Sequence, residues 1–402
     1  MIAFLRANAR WIVGGFLLTF FSSFGQTFFI SGSIGEWQSA FGLSHGEFGR
    51  LYMLATLASA LTLPFMGKVV DVVPEHKVIA GTVPVLAGAT LLAAYAPSVL
   101  ALGFALYLLR LFGQGMMTHI ALTATGRWFT ASRGRAVSLV VLGHQGGEAT
   151  LPLAFAGLAA LYGFQAGWVA GAIVLLVVAL PLGVWAYARE RTPAAVEVDG
   201  APQVETRSWT RAEVVRDPLF WVLLTGVLAP AFIGTTLFFH QDYMTELRGW
   251  PVHLFATGLT LLAIVTTSVA LVMGGVIDRF GARAVLPFFL YPLALACVIA
   301  ASVPSEAGLY LTMLALGVSY GVSSTLFGAL WPEVYGTEHL GAVRSVIVAA
   351  MVLATAAGPG LTGTLIDQGI GLPTQLLGLS AYCIIAAMLM AFASRRLRLR
   401  HS

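Results

Sequence analysis

The stretch YLLRLFGQGM, residues 107–116, sets Arg110 in an otherwise apolar run and follows it with Gln114 between Gly113 and Gly115. A guanidinium stays charged at any working pH, so an arginine in such a run marks either an anion to be bound or buried polar groups to be met. A second set lies in LGHQGGEATLP, residues 142–152, where His144 and Glu148 stand four apart and share one helix face. A carboxyl and an imidazole in a poorly hydrated place exchange protons as a nearby cation is exposed or covered, which is acid–base chemistry without bond cleavage. His119 adds a further proton stop, and FFHQDYM (238–244) sets His240 and Gln241 at a helix end. Tyr320, among Ser319, Ser323 and Ser324, supplies hydroxyls.

Covalent chemistry is not indicated. GVSYG (317–321) matches the pattern Gly-x-Ser-x-Gly but falls inside an apolar helix and not at a strand-to-helix turn, so no catalytic serine and no enzyme are expected. The sequence carries no Walker loop, no dinucleotide fingerprint on a strand and no zinc spacing, and no cofactor is expected. Cys297 and Cys383 each lie in an apolar segment and read as packing residues.

Membrane-spanning helices must position these groups. Of the 402 residues 58% are hydrophobic and 10% charged. Apolar blocks of about 20 residues recur from end to end, which excludes an ordinary soluble domain and the short alternating strands of a barrel. Blocks and turn signals predict twelve helices near residues 11–31, 47–66, 78–96, 100–124, 136–160, 166–188, 218–240, 252–273, 284–303, 307–330, 345–366 and 374–394. Pro359 is expected to break the eleventh locally. The first run, preceded by Arg6 and Arg10, has no small-residue cleavage site and reads as a retained helix.

An even number of helices puts both termini on one face. The loops and tails of that face hold 19 of the 22 lysines and arginines, which predicts that it is cytoplasmic. The net charge of +4 is dispersed over these loops and forms no nucleic-acid patch. Arg110 then falls near the bilayer centre, where facing lipid costs at least about 2.5 kcal/mol, so it must face the bundle interior or a water-filled cavity. Glu148 shares that depth. The alternative role for Arg110 is a buried cation satisfied by carbonyls or an acid, holding helices together.

The polar stretch at residues 189–217 divides residues 1–188 from residues 218–402, six helices from six, and TRAE (210–213) within it reads as a capping box. GKVVD (67–71) is echoed by GGVID (274–278), and RWF (127–129) sits where WPEVY (331–335) follows the tenth helix. Internal repeats of this kind point to a transporter whose site lies between two bundles near the midplane.

On these residues the chain resembles the major facilitator superfamily over essentially its whole length. The family's loop signature, Gly-x-x-x-Asp-Arg-x-Gly-x-Arg/Lys, is matched by GGVIDRFGAR, with Asp278, Arg279 and Arg283. GKVVDVVPEHK, with Asp71 and Lys77, matches it less closely, having Val72 and Pro74 for the expected Arg and Gly. Arg110, Gln114 and Gly115 fit the fourth-helix motif Arg-x-x-x-Gln-Gly, and RWFTASRGRA (127–136) resembles the monocarboxylate and organic-anion branches. The resemblance implies an all-α membrane protein of two six-helix bundles around a central cavity, working by proton-coupled alternating access in a bacterial inner membrane.

Together these observations place Arg110, Gln114, His144, Tyr320, His240 and Gln241 toward substrate. They place Glu148, His144, Arg110 and His119 in proton coupling, and Asp71, Lys77, Asp278, Arg279 and Arg283 at a cytoplasmic gate. A small organic anion such as a monocarboxylate is favoured, because Arg110 is the one fixed cation in the apolar core. One rival is a proton-driven efflux antiporter for drugs or metabolites, suggested by the fourth-helix motif and 25 phenylalanines. It is disfavoured by EATLP where antiporter branches carry a Gly-Pro pair. Another rival is a non-transporting assembly factor or sensor. The expected partners are a small-molecule substrate, protons and the lipid bilayer, with no nucleic acid, and the chain is expected to be a monomer.

Overall fold

The structure, a computed structural model, describes residues 2–129, 133–189, 208–251, 253–336 and 339–400. Nine helices are long and apolar enough to cross a bilayer among the described residues, and a tenth span is bent by 48° at a break. In chain order the helices used below are α1 (Ile2–Phe21), α2 (His45–Gly67), α3 (Glu75–Ala94), α4 (Val99–Trp128), α5 (Arg133–Tyr162) and α6 (Phe164–Tyr187). They continue as α7 (Pro218–Phe239), α8 (Leu254–Phe280), α9 (Tyr291–Ser302), α10 (Glu306–Tyr335), α11 (Leu340–Asp367) and α12 (Leu372–Arg400).

Close contact divides the chain into two compact units, one of residues 1–44 and 50–199, the other of residues 45–49 and 200–402. The five residues that open α2 group with the second unit, an allocation the sequence did not foresee. There the Gly46 N–H donates to Asp367 Oδ2 at 2.9 Å. Residues 190–207, most of the expected linker, lie outside the described residues. The expected capping box is formed at Thr210: its N–H donates to Glu213 Oε2 at 2.8 Å and its hydroxyl accepts from the Glu213 N–H at 3.4 Å, opening the helix Arg211–Arg216.

Three expected elements differ in detail. The first helix is not continuous, because after Phe21 the chain passes through a 3-10 turn, Ser22–Gly25, and an extended Gln26 before short helices at Thr27–Ile30 and Ile34–Phe41. The ninth begins late, after turns at 286–290, with Pro292 near its start where a missing N–H costs nothing. Pro359 does not break α11, which runs unbroken through it.

The break in α1 has a steric cause. A side chain at Gly25 would put Cβ 2.1 Å from Leu109 O, and one at Gly113 would put it 2.7 Å from Gly25 Cα. Two glycines thus let α1 and α4 touch backbone to backbone, and α4 widens at this crossing into a π-helical stretch, Leu109–Met117. On the other side of α1, Gly147 of α5 lies against Phe20 O and the Ser23 hydroxyl, so the α1–α5 seam is equally close.

Candidate functional site

Arg110 is 3% exposed and lies at the start of the π-helical stretch. Its Nη1 donates to Gly25 O at 3.1 Å and, more weakly, to Thr27 Oγ1 at 3.4 Å. The Thr27 hydroxyl is 2.7 Å from the Tyr52 hydroxyl, and the guanidinium lies over the Tyr52 ring, 5.6 Å from its centroid. These partners are neutral. The break in α1 explains the first of them, since the Phe29 N–H turns back to Gln26 O at 3.1 Å and leaves the Gly25 carbonyl without a helical donor. A buried carbonyl needs a donor inside a membrane, and Arg110 is that donor.

Arg110 and Glu148 form no ion pair. Glu148 is 4% exposed on α5 and makes no hydrogen bond or ion pair among the described residues. His144, one turn away, is half-buried with its ring edge-on to Phe28 at 5.8 Å. The first unit also holds buried polar atoms without a hydrogen-bond partner among the described residues: Arg110 Nε, Ser23 Oγ, Thr56 Oγ1 and Gln145 Oε1. Thr56 is one turn from Tyr52 on α2, and Ser23 belongs to the break itself. The first unit thus holds a buried cation and several buried hydrogen-bonding atoms not used by the described residues.

The remaining expected site residues fall into two groups. Gln114 is half-buried in the π-helical stretch, with its N–H at the Gly25 crossing. His119 is elsewhere, with Nε2 3.3 Å from Gly67 O at the end of α2, a helix-to-helix tie within the first unit. In the second unit the Thr362 hydroxyl donates to Gly358 O at 2.6 Å, so the 2.8 Å contact between His240 Nε2 and Thr362 Oγ1 has the histidine as donor. His240 is 2% exposed and Gln241 is buried beside it. The Tyr320 hydroxyl packs onto the bare face of Gly234, and the Ser319, Ser323, Thr236 and Thr266 hydroxyls are buried without hydrogen-bond partners among the described residues.

At the opposite helix ends, the side chains of Asp71 and Asp278 lie outside the described residues. Lys77 is exposed, and Arg279 stacks over Phe280 at 5.2 Å. Arg283 is engaged: its Nε donates to Glu333 Oε1 at 2.5 Å while the Ala282 N–H donates to Glu333 Oε2 at 2.7 Å, tying the α8–α9 loop to the end of α10. The first unit repeats the tie with the charges exchanged, Glu75 at the start of α3 pairing with Arg127 at the end of α4 at 3.1 Å. Sequence reasoning missed Glu75, Arg127 and Glu333, although each lies in or beside one of the repeated segments.

It also missed Asp217. This carboxylate caps α7 through the Leu219 N–H at 3.1 Å and accepts from Arg400 Nη1 at 2.7 Å and the Tyr335 hydroxyl at 3.1 Å. Burial by itself raises its pKa, but the hydrogen bonds from Arg400, Leu219 and Tyr335 outweigh it and hold the group below the ordinary aspartate value of 3.8. A depressed pKa contributes stability that is complete above the unfolded value and lost as pH falls through the folded one. Asp217→Asn keeps a cap but not the charge, and Arg400 is partly solvated. The variant is therefore expected to lose about 1–2 kcal/mol at neutral pH. Thermal unfolding of the purified protein should show the gap to wild type closing as pH drops below the ordinary aspartate value of 3.8. A gap independent of pH would show that the charge is idle.

The chain matches the family model described as Major Facilitator Superfamily over residues 15–359. It is 25% identical over 370 residues to an oxalate:formate antiporter of Oxalobacter formigenes, covering 89% of this chain and 84% of that protein. The fold is shared with a bacterial homolog of the human lysosomal transporter Spinster, solved inward-facing and unoccupied, with TM-score 0.75, 19% identity, and coverage of 96% of this chain and 97% of that one. A variant of the nucleoside transporter NupG superposes with TM-score 0.70 at 15% identity, covering 96% of this chain and 99% of that one. Its helical membrane architecture and the match of the family model over most of its length show that the chain belongs to the Major Facilitator Superfamily.

Proposed function

We propose that this transporter moves a small carboxylate, that Arg110 is its anion contact, and that Glu148 carries the coupled proton. The observation that carries the proposal is a buried guanidinium whose partners among the described residues are all neutral, so that its charge is left for a solute. Glu148, buried and without a partner on the neighbouring helix, supports a second site for one proton. No bond is made or broken, and the chain's polar residues act by binding alone.

Direct exchange of one carboxylate for another is a second reading, favoured by the Oxalobacter relative, an oxalate:formate antiporter. Proteoliposomes separate the two. Formate, oxalate, lactate and acetate are offered under an inward proton gradient to vesicles loaded either with buffer or with unlabelled carboxylate. Accumulation in buffer-loaded vesicles supports proton coupling, uptake only into carboxylate-loaded vesicles supports exchange, and uptake of none of the four under either condition defeats both.

The setting proposed is a bacterial inner membrane with both termini cytoplasmic, on the strength of the basic residues gathered on one face. In a cysteine-free background, a single cysteine at residues 97–99 should react with an impermeant thiol reagent added outside, and one at residues 200–204 should not. Reversed labelling would invert the topology.

A further inference from the structure

Among the described residues Arg110 is hydrogen-bonded through one nitrogen only. Nη1 carries two N–H groups and has two acceptors, Gly25 O at 3.1 Å and Thr27 Oγ1 at 3.4 Å. Because a guanidinium is planar, two acceptors on one nitrogen fix the plane of the whole fork and the direction of its other N–H groups. The first acceptor cannot shift, since Gly25 is wedged against Leu109 O and Gly113 Cα. The second can. Thr27 opens the short helix Thr27–Ile30, and its hydroxyl is free to change rotamer unless a further group holds it.

Tyr52 of α2 is that group. Its hydroxyl is 2.7 Å from Thr27 Oγ1, and both side chains are buried. A guanidinium only donates, so the Thr27 oxygen accepts from Arg110 and has one proton of its own to give. Tyr52 is the remaining hydrogen-bond partner of that hydroxyl among the described residues, so the proton goes to the phenol oxygen. The order Arg110 to Thr27 to Tyr52 follows from the chemistry of the three groups. Tyr52 also meets the cation directly, with its ring centroid 5.6 Å from the guanidinium carbon, a cation–π contact. We propose that Tyr52 is a positioning residue of the transport site, holding the Arg110 guanidinium, with Thr27, in one orientation before a solute arrives. The inference rests on the reading of Arg110 as the anion contact. Loss of either hydroxyl frees the guanidinium to turn, and a solute must then immobilise it on binding, which is expected to weaken affinity by about three- to tenfold.

The test reads orientation and affinity separately, on the full-length protein in detergent with isotope-labelled arginine. In NMR spectra the two Nη nitrogens of Arg110, identified by their absence in Arg110→Lys, give distinct signals when the guanidinium is held and one averaged signal when it turns. Wild type should show two. Tyr52→Phe keeps the ring and loses the hydroxyl, Thr27→Val removes the hydroxyl from the other side, and each should show one. Formate, oxalate, lactate and acetate are titrated by calorimetry, and those that wild type binds should bind either variant about three- to tenfold more weakly. The double variant should be no weaker than the singles, since both remove the same linked contact, and Thr27→Ser should recover both readouts. A hydroxyl pair that only ties α1 to α2 would change thermal stability and neither readout. Distinct Nη signals in both Tyr52→Phe and Thr27→Val, or an averaged signal with affinity unchanged, would overturn the assignment. If wild type binds none of the four, the carboxylate reading falls, and the Nη signals still decide whether the pair holds the guanidinium.

Discussion

Arg110→Lys is expected to weaken carboxylate binding by about ten- to a hundredfold, the equivalent of about 1.5–3 kcal/mol for one lost charge-assisted hydrogen bond. Lysine keeps the charge and retains a donor for Gly25 O, so the break in α1 stays satisfied. It lacks the planar fork, and so loses the two-bond grip on a carboxylate that the guanidinium offers beside its Nη1 contacts to Gly25 O and Thr27. Arg110→Met removes the charge and the donor together, and should abolish anion binding while lowering the unfolding temperature. Affinity is read by titration calorimetry with the best carboxylate from the uptake screen. If Arg110→Lys binds as tightly as wild type and only thermal stability falls, the arginine serves the Gly25 carbonyl alone.

The second large effect is on coupling. With one proton per substrate, wild type should accumulate a solute about tenfold for each unit of imposed pH gradient. Glu148→Gln should bring that ratio to one, because a glutamine of the same shape cannot take up or release the proton. Exchange of labelled for unlabelled substrate should continue, since no ion pair or hydrogen bond among the described residues depends on the carboxylate. In the coupling proposed, an anion on Arg110 favours the protonated form of Glu148, and the linkage is reciprocal. Gradient-driven accumulation surviving in Glu148→Gln would remove the residue from the coupling path.

The membrane class, the helical segments and the family were legible in the chain itself, because a bilayer admits few solutions. Twenty apolar residues between turn signals can only be a span, and GGVIDRFGAR and RLFGQG carry their spacing openly. The candidate residues Arg110 and Glu148 were legible for the same reason, as ionisable groups stand out against hydrocarbon.

Their partners were not. An arginine beside an acid on a neighbouring helix suggests a pair, yet Arg110 is held by the Gly25 carbonyl, a group every residue carries and no sequence advertises. That carbonyl is free only because α1 breaks where Gly25 and Gly113 meet, a contact between residues far apart in the chain. His240 reads as a residue turned toward substrate and His119 as a proton stop, while in the folded chain Nε2 of each already meets a neighbouring helix. Glu75 with Arg127 and Arg283 with Glu333 are likewise decided by which helix ends the fold brings together. Local pattern determines which segments enter the membrane. Only packing decides which polar atoms are used up there and which remain for a ligand.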